Sequence, residues 1–198
     1  MKKNCVLAMA FIFIILVNSS CMTPSQSDFR KNLPEAGAGF HWEVFDEINV
    51  AVPAPDNWYR AVSKGSGTFT GSISLENYEK DGLFKTGFSI QVIYNVKNRT
   101  GSPPSIVAVA MGEEITNAPF NIVLRSDALK DHGSSRTCLI QYRNAPTLGN
   151  KITVHKFFVA IDKRDLLYIF TFESPTVTWD DSLSKYGAPM MAGITMAQ

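Results

Sequence analysis

Between Phe88 and Val96 the chain alternates with little interruption: Phe88, Ile90, Val92, Tyr94 and Val96 are apolar, and Ser89, Gln91 and Asn95 stand between them. A strand repeats its side-chain direction every two residues, so this run offers one face to a core and the other to water. Gly67–Leu75 repeats the pattern, with Phe69, Gly71, Ile73 and Leu75 inward against Thr68, Thr70, Ser72 and Ser74. Phe40, Trp42 and Val44, then Ile48, Val50 and Val52, read as two shorter strands. Pro53 and Pro55 are expected to stop the second, since proline gives nothing to a ladder. Trp58–Val62 is a short candidate strand. Asn121–Arg125, Arg136–Arg143, Lys151–Ile161 and Leu166–Phe172 read as four more. The last two flank the polar turn Asp162–Asp165 and so form a hairpin. Both are apolar on both faces, the mark of central strands covered on each side.

Helical spacing occurs twice. Ser102-Pro103-Pro104 can open a helix with serine as cap and proline in the first turn. Val107, Ala110, Met111 and Ile115 then share a face, although Ser105–Met111 alone also fits a buried strand. Near the C-terminus Thr178 and Asp181 form a variant capping box. Trp179, Leu183, Tyr186, Met190 and Ile194 make one apolar stripe. Gly187 and Pro189 predict a kink or break there. The resulting fold class is α+β: an antiparallel sheet flanked by helices, with a C-terminal helix on the sheet.

The first residues are laid out as an export signal. Lys2 and Lys3 precede 12 apolar residues, Val6–Val17, and then Asn18, Ser19, Ser20 and Cys21. The run is too short for the roughly 20 residues of a spanning helix and suits a signal h-region. Ser19-Ser20-Cys21 resembles the bacterial lipobox, with Asn18 where an aliphatic residue is usual. The resemblance implies cleavage before Cys21 and acylation of its thiol, an anchor in which each buried methylene contributes about 0.8 kcal/mol. Met22, in place of an aspartate, points to the outer membrane, facing the periplasm. Residues 1–20 are thus expected to be a signal peptide, 21–39 a lipidated cysteine and flexible Pro/Ser/Gly/Ala tether, and 40–198 a single globular domain.

Removing residues 1–20 takes two of the 19 basic residues and none of the 18 acidic ones, so the net charge passes from +1 to −1. No basic block remains for nucleic acid. Cys138 would be the one cysteine left besides Cys21, which leaves no intramolecular disulfide. It alternates with Ile140 and Tyr142 and reads as a buried structural thiol.

Two stretches carry a family resemblance. Ile48-Asn49-Val50-Ala51-Val52-Pro53 followed by Trp58 resembles the opening of the PsbP-like fold, which takes in DcrB-like envelope domains. Leu166–Phe172, then Glu173-Ser174-Pro175 and Trp179, resembles its closing strand and terminal helix. The resemblance covers Phe40 to Ala197 and implies an antiparallel sheet between helical layers, an α/β/α sandwich. It also implies binding and stabilising of partners, with no active site to carry over.

Catalytic signatures are missing from the sequence itself. His41, His132 and His155 fall in no HExxH or paired arrangement. His155 alternates with Thr153 and Phe157 and reads as a satisfied sheet histidine. His132, Ser134 and Ser135 surround Gly133 in an ordinary turn rather than a nucleophile elbow. Gly65-Ser66-Gly67 lacks the ending of a phosphate loop. Glu113-Glu114 and Asp180-Asp181 are adjacent acids, which diverge on a helix; the second pair complements a helix N-terminus. Asn98-Arg99-Thr100 is a glycosylation sequon of no consequence in a bacterium. No catalytic, metal-binding or cofactor-binding residue is named. The expectation is a non-enzymatic envelope lipoprotein, held to the membrane through acylated Cys21, that binds an envelope protein. Trp42 and Trp58 are the aromatic candidates for contact, with core packing the favoured reading of both. The alternative is a small-ligand binder or hydrolase acting on lipid or cell-wall fragments.

Overall fold

The computed structural model describes residues 26–82, 84–144 and 151–197. Helix α1 (Gln26–Lys31) precedes strands β1 (Phe40–Phe45), β2 (Val50–Pro55), β3 (Tyr59–Gly65) and β4 (Thr68–Ser74). Then follow α2 (Tyr78–Asp81), β5 (Gly87–Tyr94), α3 (Val96–Thr100) and α4 (Pro104–Asn117). Strands β6 (Asn121–His132), β7 (Ser135–Asn144), β8 (Ile152–Ile161) and β9 (Leu166–Pro175) come next. The chain ends in α5 (Trp179–Ser182), a π-helical turn Leu183–Gly187, α6 (Ala188–Ala192) and β10 (Thr195–Met196).

Seven strands form one antiparallel sheet in the order β3-β4-β5-β9-β8-β7-β6. The predicted β8–β9 hairpin sits at its middle, which explains why both strands are apolar on both faces. One face carries Cys138, Ile140, Phe158, Leu167 and Ile169 beneath α4, in one cluster with Val96 of α3 and Ala108 of α4. Here α4 presents small residues, Ser105, Ala108 and Gly112, and a β-carbon on Gly112 would lie 2.9 Å from Ile140 Cδ1. Ala110, expected inward, faces solvent because the helix turns its small-residue ridge to the sheet.

The helix is capped from elsewhere in the chain. Ser102 makes no cap hydrogen bond; instead Asp162, in the β8–β9 turn, accepts from Ser105 N–H at 2.8 Å and from Ser105 Oγ at 2.7 Å. With two prolines opening the helix, few orphan N–H groups remain to be met.

The opposite face departs from a plain helical layer. It is covered by the C-terminal helical run together with a second sheet, β1-β2-β10, over a core of Phe45, Val50, Val52, Phe88, Phe170, Phe172 and Met190. The α/β/α expectation therefore holds, with helix on each face of the sheet, and the small sheet β1-β2-β10 is added beside the C-terminal helical run. The expectation that Pro53 and Pro55 stop β2 fails: both lie within it. Asp56 N–H bonds to Gly39 O, so even-numbered amides of β2 face β1, while Asn49 O receives Ala197 N–H from the β10 side. The two prolines, at odd positions, aim their missing N–H past the end of β10, which pairs only with Val50 and Ala51.

The C-terminal stripe is helical through Gly187 and Pro189 rather than broken. A π turn, with Ala188 N–H on Leu183 O, absorbs the proline. The capping box is not formed: Thr178 Oγ1 donates to Pro175 O. Ile194 lies beyond the last helical residue, Ala192.

Candidate functional site

Cross-strand partners share a face of a sheet, so the register identifies what lines each half of it. The core beneath the C-terminal helix draws on β4, β5, β8 and β9 and takes no side chain from β6 or β7. On that side Arg125 and Asp127 of β6, Leu139, Gln141 and Arg143 of β7, and Thr153, His155 and Phe157 of β8 form a floor. Arg143, Thr153 and Ser174 lie in one row across β7, β8 and β9. Arg125, Gln141, His155 and Phe172 lie in the next, and Leu139, Phe157 and Phe170 beyond that. Phe172 packs on Trp179, so the helical run borders the floor on the β9 side.

The floor is polar at one end. Arg125 and Asp127 form a two-pronged pair at 3.0 and 2.6 Å, which holds the Asp127 carboxyl below its ordinary value. His155 is pushed down to about 4, first by burial and then by the Arg125 charge, against the pull of Asp127; its ring is neutral at pH 7. The sequence reading of a satisfied histidine fails: among the described residues Nδ1 is buried without a hydrogen-bond partner, as are Arg143 Nε and Ser174 Oγ. On the opposite face burial raises Glu173 and lowers Lys156, each partly offset by the other's charge.

The other sequence candidates are scattered. His41, on β1, bonds Glu43 at 3.1 Å and Asp56 at 3.2 Å. His132 ends β6, Ser134 follows in the two-residue turn with Gly133 at φ +62°, and Ser135 opens β7. Glu113, Glu114, Asp180 and Asp181 are exposed on their helices. Among the described residues no group of three or more His, Cys, Asp or Glu is placed to hold a metal. Trp58 packs into the core and against Tyr186, ring centroids 4.9 Å apart. Trp42 donates its indole N–H to Pro34 O at 2.6 Å and lines an open groove of about 580 Å³ with Arg30, Glu43 and Arg60. Within the segment 21–39, expected to be tether, α1 is docked by an Arg30–Asp46 ion pair. Cys138 is a buried free thiol, pushed up to about 11 by burial. Cys21 and the signal lie outside the described residues. Sequence reasoning did not single out Arg125, Gln141, Arg143 or Ser174. Their signal was polarity on the strand face that, in β8 and β9, is otherwise apolar.

No family model matches the chain, and no curated protein matches it in sequence. Among solved structures, cyanobacterial PsbP (CyanoP) from Synechocystis sp. PCC 6803 superposes with a TM-score of 0.50. It is 11% identical, over 83% of this chain and 95% of that one. The domain has a PsbP-like fold. The Ran-binding protein Mog1p of Saccharomyces cerevisiae, 11% identical, gives a TM-score of 0.49 over 80% of this chain and 96% of its own. LpqN, involved in cell envelope biogenesis of Mycobacterium tuberculosis, gives 0.46 at 11% identity, over 75% and 83%. In this PsbP-like frame the C-terminal helix rests on the sheet as the sequence implied, and the β6–β8 floor is the part of that face left beside it.

Proposed function

We propose that the chain is a non-enzymatic lipoprotein of the bacterial envelope, exported by residues 1–20 and tethered through acylated Cys21 to the outer membrane on its periplasmic side. It works as an accessory factor by binding an envelope protein. The observation that carries the binding role is the half-face of β6–β8 that bears Arg125, Leu139, Gln141, Arg143 and Phe157, all only partly covered among the described residues. A face of mixed charge, amide and apolar groups is the composition of a recognition surface. The test is crosslinking on intact membranes with wild type and with Gln141→Glu/Arg143→Glu. A partner captured by wild type and lost in the folded variant supports the reading; equal capture by both overturns it.

A second reading, a small-ligand binder, is favoured by the three unmet polar atoms Arg143 Nε, His155 Nδ1 and Ser174 Oγ, because protein partners alone do not explain polar atoms lying beneath the surface.

A further inference from the structure

Arg143 Nε, His155 Nδ1 and Ser174 Oγ are the shielded side-chain atoms without a hydrogen bond among the described residues, and all three fall on one face of one sheet within two adjoining rows. A buried polar group left without a partner is costly to the fold. Adjacent strands lie about 4.8 Å apart. Arg143 and Ser174 are therefore about 10 Å apart at the backbone, with the buried Thr153 between them. Thr153 Oγ1 is itself paired with Thr176 Oγ1 at 3.0 Å.

The chemistry of the three atoms is directional. Arginine Nε–H only donates, a serine hydroxyl donates readily, and a histidine Nδ1 can donate. The carboxylate on this floor, Asp127, is held by Arg125 through both oxygens. Arg143 Nε has no hydrogen-bond partner among the described residues. One guanidinium with two flanking hydrogen-bonding groups matches an oxygen-rich anion.

We propose that Arg143, His155 and Ser174 bind the oxyanion, a carboxylate or a phosphate group, of a small ligand lying on the β6–β8 floor. This rests on the small-ligand reading above and names its chemistry. Loss of protein capture in the crosslinking test leaves it untouched, and its own failure leaves the accessory role standing.

The experiment titrates inorganic phosphate and, separately, acetate into the full chain in non-ionic detergent, with potassium chloride at matched ionic strength. The readout is the nitrogen and proton shifts of the His155 ring. The expected result is saturation with at least one anion and none with chloride; the tighter of the two separates a phosphate ligand from a carboxylate one. Arg143→Gln and Ser174→Ala should each weaken binding by about tenfold or more, the range for hydrogen bonds to a charged group. Ser174→Ala should also be no less stable than wild type, since it removes an unmet hydroxyl; a serine with a purely structural role would lose stability instead. Absence of saturation with both anions, a shift that chloride reproduces, or a titration unchanged in Arg143→Gln would overturn the proposal.

Discussion

A histidine in a strand tells little until its neighbours across the sheet are known. Those of His155 are Gln141 and Phe172, with the Arg125–Asp127 pair on the strand beyond. Its ring titrates near 4 in the fold against an ordinary 6.5. The unfolded chain therefore takes up a proton first. Stability is complete above about pH 6.5 and declines as the pH falls toward 4, by up to about 3 kcal/mol. Glu173, raised by burial, works in the opposite direction. Urea midpoints of wild type and His155→Gln at pH 7 and 4.5 separate the two: the variant should lose the histidine part of the decline, and an unchanged slope would refute the assignment. Cys138 is also decided by its surroundings. With its thiol pushed up to about 11, iodoacetamide at pH 8 should label it far more slowly in the native than in the urea-unfolded protein. Equal rates would show that the thiol is not buried.

Among the elements, the C-terminal helix is positioned by a glycine. A β-carbon on Gly187 would lie 2.6 Å from Cδ1 of the fully buried Phe172. Gly187→Ala should therefore destabilise by about 1–3 kcal/mol through overpacking, even though alanine favours helix. Gly37 has nothing within 4 Å of an added β-carbon, so Gly37→Ala serves as the control and should leave the thermal midpoint equal or slightly higher. Equal melting of both variants would mean that the helix does not rest on Phe172 as described. The edge strand β6 runs the length of the sheet but exposes Ile122, Val123 and Leu124, with shifts in register after Val123 and after Asp127. Bulges of this kind twist an edge away from further pairing.

For the whole molecule, the sheet is covered differently on its two faces: α4 on one, a helix and a three-stranded sheet on the other, with the floor left beside them. The tether belongs to the same scale. Cys21→Ala should move the protein from the membrane fraction to the soluble one. Retention at the membrane at the wild-type level would sink the lipid-anchor proposal, and intact mass of the mature N-terminus would show whether acyl chains are present.

Strand existence, the central β8–β9 hairpin and the apolar stripe of the C-terminal helix were all legible in the sequence. Each is a matter of local periodicity, and periodicity is written in consecutive residues. The prolines of β2, the capping of α4 by Asp162 and the passage of the helix through Pro189 were not, because each depends on where a distant segment ends or turns. The polar floor belongs with these. Arg143, His155 and Ser174 are ordinary strand residues 12 and 19 positions apart, and only the antiparallel register sets them side by side.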